Sequence, residues 1–276
     1  MKTAIRILCG YLLIVSQSYS QTGSQDIIFD RAQNSVGLSW GLHIYMSQDR
    51  IFSDQIYWGG SLVTGRVFYQ RGNRNTVHRL DIGLSRINIR ASKTFTYFVG
   101  GAPQPTQPST ASYIRVQYGY ARRILHKQNF SLFVGGTFDN NFHFIEYHFG
   151  LDTNDGSLTS HALTTWLNAV YRFSKSKKMT VESTFAVIAW IGRSTFSATD
   201  EERLRASSEF LHILSNGKLA FPDKFTKLQF SITHSESIFS TTDFFVTYRF
   251  EYLKYPNPLE IHVLRNSIQI GFDFHF

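Results

Sequence analysis

Nucleophilic, metal-assisted and acid–base chemistry all need a few side chains converging on one point. In this 276-residue chain such convergence would have to come from its His, Ser, Asp and Glu positions. His234, Ser235 and Ser237 set an imidazole near two hydroxyls, the components of a Ser nucleophile activated by a His base. In an extended strand side chains alternate between faces, so both serines point away from His234 unless a turn begins there. Glu146 and His148 share one face of the stretch 142–149, while His143 points the other way. A metal would need a third ligand from elsewhere, and Asp139, Asp152 and His161 are the candidates. The run Asp152-Thr-Asn-Asp155-Gly156 is a loose match to a calcium loop but lacks the spaced Glu that completes one. No phosphate-binding Gly loop or dinucleotide fingerprint is present. The expectation is a protein with no catalytic set, no metal and no cofactor.

The elements that must hold these residues are strands. Ile268, Ile270, Phe272, Phe274 and Phe276 fall on one face of the last stretch, and Ser267, Gln269, Gly271, Asp273 and His275 fall on the other. An apolar edge strand of that kind invites aggregation unless it closes a sheet. Val36, Leu38, Trp40, Leu42, Ile44 and Met46 alternate as cleanly with polar and small residues. At the start, Lys2 and Arg6 precede an apolar run from Ile7 to Val15, followed by Ser18-Tyr19-Ser20. That order predicts a cleaved signal peptide over 1–20, the apolar run being shorter than the roughly 20 residues of a spanning helix. Cys9, the single cysteine, would leave with it, so the remainder has no thiol chemistry.

On these residues the chain resembles bacterial outer-membrane β-barrel proteins, whose last strand typically ends on an aromatic residue read by the barrel-assembly machinery. The resemblance implies that Phe272, Phe274 and Phe276 form the assembly signal. It also implies outer-membrane lipid as surroundings and the assembly machinery as a partner during biogenesis. Composition is compatible: aromatics are 16% of the chain, with 25 Phe and 14 Tyr, at a mean hydropathy of −0.18. Barrel strands devote only alternate positions to lipid, so high aromatic content without long apolar runs is what they produce. A net charge of +8 would suit phosphorylated headgroups such as those of lipopolysaccharide. Scattered Lys and Arg give no basic patch for nucleic acid.

The chain reads as a leader over 1–20, a lead-in over 21–35 and one barrel over 36–276, all-β, antiparallel and up-and-down, with about ten strands and twelve as the alternative. Leu80, Ile82 and Leu84 share one phase while Ile87 and Ile89 take the other, which predicts a bulge near Ser85 or Arg86. Thr199 and Glu202 make a capping box, and Leu204, Leu211 and Leu214 follow at helical spacing. They predict a helix over about 200–215 in an extracellular loop. The stretch after residue 138 reads as a long polar loop carrying an aromatic patch, with Phe142, Phe144, Tyr147 and Phe149 as candidate partner contacts.

Carried inward, the alternation places Arg115, Gln117, Trp166, Asn168, Arg172, Glu182, Trp190, Arg249, Glu251 and Asp273 in the lumen. A barrel of about ten strands is scarcely wider than its own side chains can fill. Buried charges need partners, so Arg115, Arg172, Glu182, Arg249, Glu251 and Asp273 are expected to form a crossing network. The favoured reading is a non-enzymatic scaffold or accessory subunit of an outer-membrane complex. A narrow solute channel is the alternative. A lipid-modifying hydrolase is the second, because outer-membrane phospholipases and lipid A deacylases pair a His with a Ser. Those families space the two as His-x-Ser on one strand face, and His234-Ser235 departs from that spacing. The outer-membrane protease family shares only the strand number.

Overall fold

The computed structural model describes residues 33–93, 96–99, 101–105, 107–149, 152–194 and 217–276. Its strands are β1 (Gln33–Asp49), β2 (Ile56–Gly72), β3 (Thr76–Ala91), β4 (Thr96–Val99), β5 (Ala102–Pro105), β6 (Ser109–Lys127) and β7 (Phe130–Phe149). They continue with β8 (Asp152–Arg172), β9 (Lys177–Arg193), β10 (Lys218–Ala220), β11 (Thr226–Phe239), β12 (Thr242–Tyr255) and β13 (Ile261–His275). Ten of these pair antiparallel in chain order, and β13 pairs with β1, so the sheet closes on itself. The three-residue β10 adds to β9, and β4 and β5 form a separate hairpin. Closure removes the edge that the apolar last strand would otherwise expose. At the seam the Phe276 amide donates to the Asn34 carbonyl at 3.0 Å and the Asn34 amide donates back at 3.3 Å.

Both described ends of the chain, Gln33 and Phe276, lie at the same end of the barrel. The links there are short and built from polar residues that satisfy their own backbone. The Asn73 side chain accepts from the amides of Asn75 and Thr76 at 2.8 and 2.7 Å, turning β2 into β3. Ser174 does the same for Lys177 at 3.2 Å between β8 and β9. Short turns mark the periplasmic side of such barrels, and longer links mark the other side, here called the distal end.

The outer wall carries an apolar band: Leu38, Trp40, Leu42 and Ile44 on β1, Ile82 and Leu84 on β3, Leu163 and Leu167 on β8, and Ile268 and Ile270 on β13 are all exposed. Exposed Tyr69, Tyr118, Tyr120 and Tyr171 ring its periplasmic border, as aromatic girdles do. Strands of 14 to 21 residues exceed the roughly 9–11 that cross a bilayer, so their distal ends stand clear of lipid.

Three expectations are corrected here. The irregularity expected at Ser85 or Arg86 lies on the neighbouring strand: β3 runs in continuous register with β6 and its odd-numbered residues face inward throughout, while β2 carries one extra residue between Trp58 and Thr64, opposite Ser85 to Arg90. Ile87 and Ile89 break the sequence phase because the strand has left the membrane, with Arg86, Asn88 and Arg90 outside in water and apolar residues inside. The stretch around 142–149 is strand, since β7 and β8 pair without interruption from Phe130 with Tyr171 to Phe149 with Asp152. The long polar loop is thus a tall hairpin. β1 starts at Gln33, inside the expected lead-in. The leader and the 200–215 helix lie outside the described residues.

Candidate functional site

The barrel interior falls into three layers. Nearest the periplasmic end is a polar vestibule of about 400 Å³, whose walls include Arg172, Lys178, Asp243, Asp273 and His275. Asp243 gathers Lys178 at 2.8 Å, His275 at 3.1 Å and the Ser237 hydroxyl at 2.6 Å. The buried Asp273 Oδ1 and His275 Nδ1 have no hydrogen-bond partner.

The middle layer is ionic. Arg66 Nε donates to Asp81 Oδ2 at 2.6 Å, and the same carboxylate draws Arg249 at 3.8 Å and Arg79 at 3.9 Å. Arg79 also grips Glu182 with both nitrogens, at 2.7 and 2.9 Å. Beside this group, Arg115 donates to Asp139 at 3.2 Å and Lys227 to the other Asp139 oxygen at 2.7 Å. Glu251 accepts from Arg265 and, at 2.7 Å, from the Gln229 amide. Gln229 in turn accepts from Arg115 at 2.7 Å and from Thr184 at 3.2 Å, tying these charges to one another. Trp166 closes one side, only 2% exposed, with the Arg79 guanidinium 5.4 Å from its ring centre. Glycine at position 119 makes room for that ring, since a Cβ there would sit 2.9 Å from it.

The distal layer is mostly apolar, with one buried ion pair between Asp49 and Arg193. Tyr45, Tyr57, Ile87, Ile145, Tyr147 and Leu253 are among its buried members. Tyr147 stacks on Phe52 at 4.8 Å between ring centres and meets Tyr57 edge-on at 5.0 Å. At the distal rim, Glu260 holds Lys254 at 2.6 Å and His262 at 3.2 Å, and these two donors keep its carboxyl below the ordinary range.

Of the expected network, Arg115, Glu182, Arg249 and Glu251 lie in the ionic layer. Arg172 and Asp273 line the vestibule instead. Trp190 is displaced altogether: β9 carries one extra residue, Val187, where Leu163 pairs with Ile188 and Thr164 with Ala186. That bulge reverses the phase, so Ala189 and Ile191 turn inward and Trp190 outward, 38% exposed. Arg66, Arg79, Asp81, Lys227 and Arg265 carry no role in the sequence pattern yet complete the layer, and Asp139, a metal-ligand candidate by sequence, instead accepts from Arg115 and Lys227. Alternation alone would have placed Arg79 and Asp81 inside, opposite Leu80 and Ile82.

The partner-contact set also divides. Tyr147 points inward and is fully buried, while Phe142 is half-buried and Phe144 exposed on the outer wall. Phe149 holds the last described pair of β7, opposite Asp152. Among the assembly residues, Phe272 packs edge-on against Phe244 at 5.7 Å, and Phe274 and Phe276 are exposed. Ser235 faces the lumen while His234 is exposed on the outside, so the two do not meet. Among the described residues, no three His, Cys, Asp or Glu side chains gather as a metal site.

An outer wall made for lipid, around a closed ten-stranded sheet with a polar and ionic interior, defines an outer-membrane β-barrel protein. No family model and no curated protein matches the chain. Among solved structures it is similar to the translocator domain of the autotransporter NalP from Neisseria meningitidis, at 11% identity over 99% of this chain and 96% of that one, with a TM-score of 0.42. It is also similar to Neisserial surface protein A, at 9% identity over 88% and 97% of the two chains with a TM-score of 0.35. An outer-membrane channel from Pseudomonas putida F1 matches at 7% identity over 94% and 100%, with a TM-score of 0.41.

Proposed function

We propose that this barrel acts through its surfaces, as a non-enzymatic scaffold or accessory subunit of an outer-membrane complex. The observation that carries the reading is the filled lumen. Ion pairs cross it in the middle and packed aromatic and aliphatic side chains fill it distally, so two unlike layers stand between the vestibule and the outside. A solute would have to break buried ion pairs, each costly to separate in a low-dielectric interior. What remains available to partners is the rim. There the β4–β5 hairpin presents Phe98, 70% exposed, beside exposed Val99, and the tall β7–β8 hairpin presents Phe144. Exposed aromatics of this kind are the usual anchors of protein contacts.

The test has two arms. Extraction from native membranes in mild detergent should yield a stoichiometric protein partner by mass spectrometry, and the purified chain in planar bilayers should give no conductance steps. A lone barrel with stable unitary currents would overturn the reading in favour of the channel, to which the vestibule would then serve as entrance.

A further inference from the structure

We propose that the ionic layer is a binding site for a small monovalent inorganic anion of chloride size, seated among Arg66, Arg115, Arg249 and Arg265. The inference is independent of the scaffold reading.

The first support is a charge count. Five arginines stand in this layer, Arg66, Arg79, Arg115, Arg249 and Arg265, against four carboxylates, Asp81, Asp139, Glu182 and Glu251. Arginine stays protonated in proteins, so one positive charge is left over even if Lys227 gives up its proton, and two if it does not. The vestibule does not supply the missing charge, because its walls carry Arg172, Lys175, Lys177 and Lys178 beside Asp243 and Asp273, which leaves no surplus of negative charge. Outside the wall is lipid. An uncompensated cation in such a place costs several kcal/mol, and the interior must find it a counter-charge.

The second support is geometric. A cavity of about 50 Å³ lies in this layer, walled by those four arginines together with His43 and Ser85. A space of about 10–15 Å³ admits one water, so this one accommodates a halide with its contacts. Three buried polar atoms of its wall have no hydrogen-bond partner: Arg265 Nε, Ser85 Oγ and His43 Nδ1. The first always donates, the second can, and the third does in the tautomer that carries its proton there. Arg249 is the least satisfied cation of the set. Among the described residues its ion pair is with Asp81 at 3.8 Å, a carboxylate that Arg66 already holds at 2.6 Å. The one carboxylate in the wall, Glu251, is turned to Arg265 and Gln229. Water would satisfy the three donors but leave the charge. An anion answers both.

The experiment is diffraction at the bromine edge from crystals of the full chain grown in sodium bromide. The expected result is an anomalous peak in the cavity bounded by the four arginines. Arg249→Gln should lose that peak, and Arg249→Lys, which restores the charge, should recover it. A wild-type cavity with no anomalous signal, holding water alone, would overturn the proposal, as would a peak that survives Arg249→Gln. Should Arg249→Gln fail to fold, the wild-type map still decides.

Discussion

Arg79 on β3 and Glu182 on β9 meet as a two-pronged ion pair, 103 residues apart in the chain and four strands apart around the ten-stranded wall. The pair is therefore a strut that sets the distance between nearly opposite walls. It holds only because both strands close into one barrel.

Truncating one end of that strut should be worse than removing both. Glu182→Ala leaves the Arg79 charge buried without its main partner, a loss of about 3–5 kcal/mol for pairs of this kind. Arg79→Met with Glu182→Leu fills the same space without charge and should cost markedly less. Urea unfolding of the detergent-folded barrel, followed by tryptophan fluorescence, gives both values; a double variant that loses more than Glu182→Ala would show that the unpaired buried charge is not what makes the truncation costly.

The distal plug can be tested at Tyr147. Replacement by Ala removes a buried ring packed on Phe52 and Tyr57, which should destabilise the barrel by about 3–5 kcal/mol. Current through planar bilayers should nonetheless stay at baseline, because the ionic layer beneath is intact. Opening of a pore by this change alone would locate the whole barrier in the apolar layer.

Tryptophan positions report the lipid boundary. Trp40 stands in the middle of the β1 stripe, 48% exposed, whereas Trp166 is sealed in the lumen. In vesicles of brominated lipid, a variant retaining only Trp40 should be strongly quenched and one retaining only Trp166 hardly at all. Comparable quenching of the two would contradict the inward placement of Trp166.

Deleting Phe276 removes the backbone pair that it makes with Asn34 at the seam, together with an exposed terminal ring. Insertion into the outer membrane should fall sharply, read as loss of the heat-modifiable band on gels. Unchanged levels would show that Phe272 and Phe274 suffice as the assembly signal.

Much of the architecture was legible because alternation is a local property. The stripes of β1 and β13 identify a barrel strand residue by residue, and counting them yields ten. The errors arose where a strand crosses from one solvent to another. Ile87 and Ile89 looked like a slip in register, yet the β3 backbone continues unbroken and the surroundings invert, lipid outside giving way to water. Phe142 to Phe149 looked like a loop because its pattern mixes inward His143 and Tyr147 with outward Phe144 and Glu146 above the membrane. Trp190 was misplaced by the extra residue at Val187, which no local signal announces.

The class follows from local pattern: an alternating, aromatic-rich chain whose strands expose one face to lipid, with both charge signs on the other. That follows from side-chain periodicity, which neighbours along the chain fix. Which charges meet depends on the closed barrel. Arg79 finds Glu182 and Lys227 finds Asp139 across the lumen, through the shear and closure of the barrel, which no stretch of chain encodes alone. The same closure gathers five arginines around four carboxylates and leaves a cavity among them, because the width of the wall and the reach of its side chains are set by the whole ring of strands.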